Sequence, residues 1–355
     1  MKNKNLKPQH LETDEDVEHY LDLVQEIWRD EPGVKKLARR LIENHPRMTL
    51  KNFYVIKDKD KMVSTLNLIP LKWSIGGVKL KVAEMGFVGT LPEYRRQGLI
   101  RKLVEEFHKD IKNQLYDIAV IEGIPCFYRQ FEYEYAIPLL EETRIRLDQI
   151  PEWKPKITIR PFTERDLSKA RVLLERSQKR YYVHSIRDEI VWELQQKTSI
   201  ASDPEPFECY AVEEQTKMTA YFRVRKIPNE KELILTEITE VDQLAAQAVL
   251  SFLKDYGNRH RLETLSANIS YAEPFTEFLM SLGGVRRVPT YAWQIRITDY
   301  VRIFRKLKPL FERRLANSMY DRLTEVINFN FRSFTIQVAF KAGRITSIQQ
   351  IDKGE

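Results

Sequence analysis

The segment between residues 82 and 121 restricts the fold of this chain most tightly. An apolar strand at 82–89 leads through a loop ending at 95–98 (Arg-Arg-Gln-Gly) into a segment beginning at Leu99. That segment is predicted to be a helix, because its apolar residues recur at intervals of three and four with charged residues between them. A second apolar strand follows at 116–121. We therefore expect two parallel strands joined by a right-handed helical crossover.

The loop at 95–98 is chemically suited to binding phosphate. The N-terminus of a helix leaves backbone N–H groups unpaired and carries about half a positive charge. Gly98 allows the backbone to approach an anion closely, and the nearby arginines can add charge-assisted hydrogen bonds: Arg95, Arg96 and Arg101. The loop lacks the Gly-Lys-Ser/Thr of a P-loop and the three glycines of a dinucleotide site. Taken alone, Arg-Arg-Gln-Gly is better interpreted as an exposed turn before a helix, so the assignment depends on the residues around it.

Apolar periodicity divides the rest of the chain into further helices and strands. A helical pattern covers 9–46, and the aromatic segment 127–136 is also predicted to be helical. Alternating apolar residues predict three strands before the loop: 53–56, 62–71 and 78–89. From residue 157 the same order of elements returns, but residues 240–243, at the corresponding loop, contain neither a glycine nor an arginine pair.

Prolines and a change of pattern suggest how the chain is divided. Pro151 and Pro155 bracket a predicted boundary, and a last piece with one helix and three strands begins near Asp299. We therefore predict three domains: 1–150, 151–298 and 299–355. The expected fold class is α/β with mixed sheets.

Composition excludes several classes of function. The formal net charge is +7, from 58 Lys and Arg against 51 Asp and Glu, but basic and acidic residues are interleaved and no nucleic-acid-binding motif is evident. Nucleic acid is therefore not expected as a partner. Cys126 and Cys209 are the two cysteines, and no histidines form an H-x-x-x-H pair, so no metal site is predicted. No apolar run reaches about 18 residues and no secretory signal is evident, which predicts a cytoplasmic protein without membrane contact.

The residues around the loop resemble a known signature. From Val88 to Leu99 the sequence reads Val-x-Thr-x-Pro-Glu-Tyr-Arg-Arg-x-Gly-Leu. This resembles the acetyl-CoA signature of the GNAT superfamily of N-acetyltransferases, in which such a loop holds the pyrophosphate of CoA and the preceding strand splays to pair with the pantetheine arm. Ile100 departs from the Gly or Ala of the pattern. The resemblance implies acetyl-CoA as co-substrate and these binding residues: Phe87, Val88, Gly89, Arg95, Arg96, Gln97, Gly98, Leu99, Ile100 and Arg101.

The order of domains resembles one branch of that superfamily. The enhanced-intracellular-survival branch combines two such domains, the second degenerate, with a sterol-carrier-like C-terminal domain. Residues 128–133 (Tyr-Arg-Gln-Phe-Glu-Tyr) are similar to its Tyr-x-Arg-Phe-Gly-Tyr segment, although Gln130 and Glu132 depart from it. The resemblance is specific over 82–136 and only architectural over 157–355, where the tail is short. The missing loop near Asp242 leads to the further hypothesis that the second half is a scaffold without its own cofactor and forms a wall of the acceptor cleft.

Two residues are candidates for catalysis. The resemblance implies that Tyr128 is the general acid, against the alternative that it only packs among aromatic residues. Glu84 shares a strand face with Gly86 and Val88, so it could enter the cleft as the base, against the alternative of an exposed strand residue. The family's chain-terminal carboxylate can also act as base, but we do not assign that role to Glu355, which follows Lys353-Gly354 in a shortened tail.

Three functional hypotheses follow. The first is an acetyl-CoA-dependent N-acetyltransferase that moves an acetyl group directly to a primary amine in a ternary complex. The second is an acyl-CoA-binding sensor or scaffold without turnover. Aminoacyl transfer from charged tRNA is a third, disfavoured because such transferases need no CoA. The resemblance suggests polyamines, aminoglycoside-like compounds or protein lysines as acceptors, and the sequence is compatible with a homo-oligomer.

Overall fold

The computed structural model describes residues 6–31, 33–139, 141–198, 207–227, 230–287, 291–331 and 333–352. Within these ranges the chain forms three sheets and eight α-helices. The helices are α1 (Asp14–Ile27), α2 (Val34–Asn44), α3 (Leu99–Asn113), α4 (Leu167–Gln178), α5 (Glu189–Thr198), α6 (Gln243–Arg259), α7 (Pro274–Ser281) and α8 (Tyr300–Ala316). Glu355 lies outside the described residues.

The first sheet has eight strands. They are β1 (Pro8–His10), β2 (Phe53–Asp58), β3 (Lys61–Ile75), β4 (Val78–Thr90), β5 (Ile118–Ile121), β6 (Glu134–Pro138), β9 (Val183–Ser185) and β15 (Ala292–Ile297). Their order is β1-β2-β3-β4-β5-β15-β6, with β9 added to β3. β4 and β5 are parallel and α3 connects them, which confirms the predicted strand–helix–strand unit.

The second sheet has seven strands and repeats this plan. They are β7 (Glu142–Arg146), β8 (Thr158–Pro161), β10 (Glu208–Glu214), β11 (Lys217–Lys226), β12 (Glu232–Ile238), β13 (Thr264–Ala267) and β14 (Val285–Arg287). Their order is β14-β7-β13-β12-β11-β10-β8, and α6 connects the parallel pair β12 and β13. The predicted mixed α/β class is therefore confirmed.

Each sheet contains a strand from the other half of the chain. β7 precedes the predicted boundary at 150 but pairs with β13 of the second sheet. β15 precedes the predicted boundary at 298 but pairs with β5 and β6 of the first sheet. Sheet membership thus crosses both boundaries, and the domain limits stay predictions.

A small third sheet ends the described chain. It consists of β16 (Val326–Asn330), β17 (Phe334–Lys341) and β18 (Arg344–Asp352) in that order. Its buried residues form a separate apolar cluster, and the aromatic residues that pack against it include Tyr300, Phe304 and Phe311 of α8. The predicted helix-plus-three-strand composition of the tail is present.

The predicted helix over 127–136 is wrong. The structure has a single 3-10 turn at Phe127–Phe131, followed by β6. Positive φ angles at Cys126 (64°) and Glu132 (68°) interrupt the backbone on either side of the turn. The alternation of exposed and half-buried residues in β6 explains the strand, because side chains of a strand point to opposite faces in turn.

Candidate active site

The strands β4 and β5 separate at the site. They pair from Val82–Ile118 to Glu84–Val120, whereas β4 continues to Thr90 and no further pairing with β5 occurs among the described residues. Beyond Glu84, backbone groups of β4 on the β5 side are therefore left without a strand partner. An elongated ligand with amide groups could pair with them.

A β-bulge marks the place where β4 separates. Thr65 of β3 faces Gly89, and Asn67 faces Gly86, so Phe87 and Val88 together oppose Leu66 alone. Phe87 has a φ of 47°, unusual for a residue with a side chain, and its ring contacts Trp28 edge-on at 5.8 Å. The bulge redirects Phe87 and Val88 toward the gap between the strands.

The predicted phosphate loop joins β4 to α3. Gly98 stands at the N-cap of α3 with a φ of 75° and provides no side-chain cap. A Cβ atom at Gly98 would meet nothing within 4 Å, so the space beside this residue is open. The uncapped N–H groups of this turn, together with the helix dipole, form a site that favours an anion.

The loop arginines are exposed but differ in their contacts. Arg95 donates from Nε to the Thr90 carbonyl oxygen at 3.2 Å, which fixes its side chain along the loop. Arg96 has a φ of 61° and no hydrogen-bond or ion-pair partner among the residues that the structure describes. Its guanidinium is therefore available to a ligand.

The other residues that were predicted to bind the cofactor differ in their burial and in their hydrogen bonds. Leu99 is buried in the core and Ile100 packs against it, so only their backbone could reach a ligand. Arg101 donates from Nη2 to Oε1 of Gln130 at 2.9 Å, which links α3 to the aromatic turn at Phe127–Phe131. Gln97 is exposed in the loop, and the carbonyl of Gly89 accepts a hydrogen bond from Ser64 Oγ at 3.0 Å.

A cavity of about 540 Å³ lies beside the bulge and contains both catalytic candidates, Glu84 and Tyr128. Glu122, which follows β5, lines the same cavity. Removal from water and, secondly, repulsion by Glu122 raise the pKa of Glu84 to about 7. Partial removal from water also raises the pKa of Glu122. A carboxylate that titrates near neutral pH is well matched to general-base chemistry.

Tyr128 occupies a tightly packed position. It is only 4% exposed, and its ring lies against Gly123, where an added Cβ would be 2.1 Å from Cε2 of Tyr128. Gly123 is thus needed for the ring to reach the end of β5. Burial and, secondly, the nearby Tyr291 raise the pKa of the Tyr128 hydroxyl, so it stays protonated at neutral pH.

The second half of the chain supplies one wall of this cavity. Val191, Leu194 and Gln195 of α5 face the residues of β3, β4 and α2 across it. Sequence reasoning did not predict α5, and it also missed Glu122. The one available signal for Glu122 was its place directly after an apolar strand that is parallel to the strand bearing Glu84.

The second sheet does not reproduce the phosphate loop. At the N-terminus of α6, the side chain of Asp242 accepts a hydrogen bond from the Ala245 N–H at 2.8 Å. This carboxylate satisfies one of the free N–H groups and places a negative charge where α3 has only Gly98. The α6 terminus therefore disfavours an anion.

The described part of the chain contains neither a cluster of metal ligands nor a helix that could span a membrane. No group of three or more His, Cys, Asp and Glu side chains there is arranged to hold a metal ion. No helix within those ranges is long and apolar enough to cross a membrane.

Comparisons with solved structures show the fold. A probable N-acyltransferase of unknown function from Enterococcus faecalis aligns with a TM-score of 0.71 at 16% identity, over 99% of this chain and 85% of that one. Eis1 from Mycobacterium abscessus aligns with a TM-score of 0.63 at 14% identity, over 98% and 85%. N-myristoyltransferase from Saccharomyces cerevisiae, solved with myristoyl-CoA, aligns with a TM-score of 0.58 at 13% identity, over 84% and 79%.

Sequence comparison identifies the first half. No curated protein matches the chain. Residues 10–136 match the family profile described as an acetyltransferase (GNAT) domain, and this range contains β4, the loop, α3 and Tyr128. Residues 10–136 are therefore similar to an acetyltransferase (GNAT) domain.

Proposed function

We propose that this protein is an N-acetyltransferase that moves an acetyl group from acetyl-CoA to a primary amine. The observation that carries the proposal is the junction of three features: the separated end of β4, the uncapped N-terminus of α3, and the cavity holding Glu84 and Tyr128. The loop suits the pyrophosphate of CoA, and the gap between β4 and β5 suits the amide groups of the pantetheine arm.

The reaction requires three proton movements. Glu84 accepts a proton from the ammonium group of the acceptor, and the neutral amine attacks the thioester carbonyl, forming the C–N bond of a tetrahedral oxyanion. The oxyanion collapses, the C–S bond breaks, and the CoA thiolate leaves with the electron pair and takes the proton of the Tyr128 hydroxyl. The second proton of the attacking nitrogen then passes to the Tyr128 phenolate, and Glu84 releases its proton to solvent. A backbone N–H at the Phe87–Val88 bulge would stabilise the oxyanion, and binding both substrates together supplies proximity.

Replacing Tyr128 tests the general acid. We expect Tyr128→Phe to lower kcat by about 100-fold, because the ring still fills its site while the proton is lost. The measurement is thiol release from acetyl-CoA with a saturating amine. Tyr320→Phe, at an exposed position away from the cavity, is the matched control for loss of a hydroxyl. An unchanged kcat in Tyr128→Phe would show that the thiolate is protonated by another route.

We further propose that 1–150 and 151–298 are two acetyltransferase-like halves, of which only the first binds CoA, and that 299–355 is a reduced sterol-carrier-like segment. The capping of α6 by Asp242 supports this asymmetry. Calorimetric titration with CoA should therefore give one site per chain. Two sites per chain would contradict the assignment of the second half as a scaffold.

The main test is a thiol-release screen with acetyl-CoA and panels of amines. Stimulation by at least one amine, with acetylation confirmed by mass spectrometry, is the expected result. The alternative function is an acyl-CoA sensor or scaffold that uses the same loop. Tight CoA binding without release for any amine would favour that alternative. Longer acyl-CoA donors in the same screen would determine whether acetyl is the preferred group.

A further inference from the structure

A second cavity, of about 410 Å³, adjoins the cavity that contains Glu84 and Tyr128, which we call the catalytic cavity. Four residues line both spaces: His45, Leu71, Val191 and Gln195. The second cavity continues from these residues toward the contact between the two halves, where Trp73 and Trp293 lie against one another with ring centres 5.7 Å apart. An acceptor bound at Glu84 could therefore extend into the second cavity.

The two cavities have opposite charged linings. Among the described residues, the catalytic cavity is lined by Glu31, Glu84 and Glu122 and by no Lys or Arg. The lining of the second cavity, in the same described ranges, contains Arg47, Lys72 and Arg187 and no Asp or Glu. An elongated ligand spanning both spaces would thus meet carboxylates at one end and cations at the other.

Nearby carboxylates only partly neutralise the cationic end. Asp188 forms ion pairs with both Arg47 and Lys72, the latter at 3.1 Å. Glu237 pairs with Arg187 at 2.5 Å and lies 3.5 Å from Arg223. Arg223 does not line the second cavity, so three lining cations share two carboxylates, and among the described residues the cavity keeps an excess of one positive charge that favours an anionic group.

The strand register gives the spacing between the two ends. Glu84 of β4 faces Ile69 of β3, and Lys72 lies three residues further along β3. At about 3.3 Å per residue, the two backbone positions are roughly 10 Å apart along the strand. Because Ile69 and Lys72 are an odd number of residues apart, the side chains of Glu84 and Lys72 leave opposite faces of the sheet. A ligand that reaches both would pass the edge of β3 at residues 69–71, where no strand among the described residues pairs on that side. The intervening wall contains Leu71, which lines both cavities, so an apolar linker fits between the ends.

We propose that the acceptor is an amphoteric amine, with its amino group at Glu84 and Glu122 and an anionic group about 10 Å away at Arg47 and Lys72. This inference rests on the proposed function and specifies its substrate class. A polycation, in contrast, would place a second ammonium group against the excess positive charge of the second cavity. The anionic group is a carboxylate or a phosphate, since both accept hydrogen bonds from Arg and Lys.

The test compares acceptors of one length that differ only at the far end. The probes are 8-aminooctanoate, 8-aminooctyl phosphate, octylamine and 1,8-diaminooctane, each assayed for acetyl-CoA thiol release. We expect kcat/KM for at least one anionic probe to exceed that for octylamine by about 10-fold, with the diamine poorest. The two anionic probes distinguish carboxylate from phosphate recognition.

Variants separate this inference from loss of folding. Lys72→Met and Arg47→Gln should remove the preference for the anionic probe while leaving kcat/KM for octylamine unchanged. Lys112→Met, which removes an exposed charge on α3, is the matched control and should keep the preference. Lys72→Glu should shift the preference toward the diamine, a gain that a misfolded variant cannot produce.

The assays distinguish failure of this inference from failure of the proposed function. Equal kcat/KM for all four probes would overturn this inference and leave the acetyltransferase function intact, as would a preference for the diamine. Absence of thiol release with every probe and with the wider amine panel, while CoA still binds, would overturn the proposed function and this inference together.

Discussion

Glu84→Gln should lower kcat by about 100- to 10,000-fold, the range that removal of a positioned general base costs. The amide keeps the size of the side chain but cannot accept the ammonium proton. In the native protein the rate should rise with pH through an apparent pKa of about 7, because only ionised Glu84 is a base. This rising limb should be absent in the variant. Stopped-flow or steady-state thiol release between pH 5 and 9 measures both effects, and Glu105→Gln on the exposed face of α3 is the control.

Ionisation of Glu84 is expected to increase activity but to decrease the free energy of unfolding. Its pKa is raised in the folded protein, so folding favours the protonated form, and this stabilisation is lost as pH rises through about 7. Glu84→Gln should therefore raise Tm at pH 8 and change it little at pH 4, below the ordinary pKa of 4.5 of a glutamate. A variant that is inactive and also less stable at pH 8 would mean that the substitution disrupted β4, and the base assignment would lose its support.

Replacing Arg95 and Arg96 together with alanine should weaken CoA binding by roughly 3–6 kcal/mol at most, if each contributes the 1.5–3 kcal/mol typical of a charged hydrogen bond. Solvent exposure of both side chains reduces this value. We expect a Kd increase of about 100-fold, with kcat at saturating acetyl-CoA largely kept. Arg286→Ala with Arg287→Ala removes an adjacent pair on β14 and controls for net charge. Equal affinity in the two double variants would contradict phosphate binding at the loop.

Local sequence signals were sufficient for the first half of the site. The periodicity of 99–111 and the apolar strands on either side predicted β4, α3 and β5, because local contacts and a parallel crossover restrict the arrangement strongly. The motif around Arg95 and Gly98 predicted a loop at a helix N-terminus, and that is where the loop lies. The bulge at Phe87 was predicted only as a splayed strand, since a positive φ has no signal in an aromatic residue.

The parts of the site that depend on contacts between distant segments of the chain could not be predicted from a local sequence pattern. The contribution of α5 to the catalytic cavity depends on how the two halves pack, and the charged residues of the second cavity come from distant parts of the chain, such as Arg47 and Arg187. The turn at Phe127–Phe131 was predicted as a helix because its aromatic residues fit a helical spacing over a few positions. Positive φ angles at Cys126 and Glu132, which nothing in those residue types demands, override that pattern.

The placement of β7 and β15 determines which fragments of this protein could keep a complete sheet. A fragment ending at residue 150 would lack β15, so β5 would lose a neighbour and β6 would lose its connection to the sheet. It would carry β7 without the strand β13 on which it pairs. Exposed edges of this kind invite aggregation. Because each of the two large sheets needs a strand from the other half, we expect that a cut between the halves would leave neither large sheet complete.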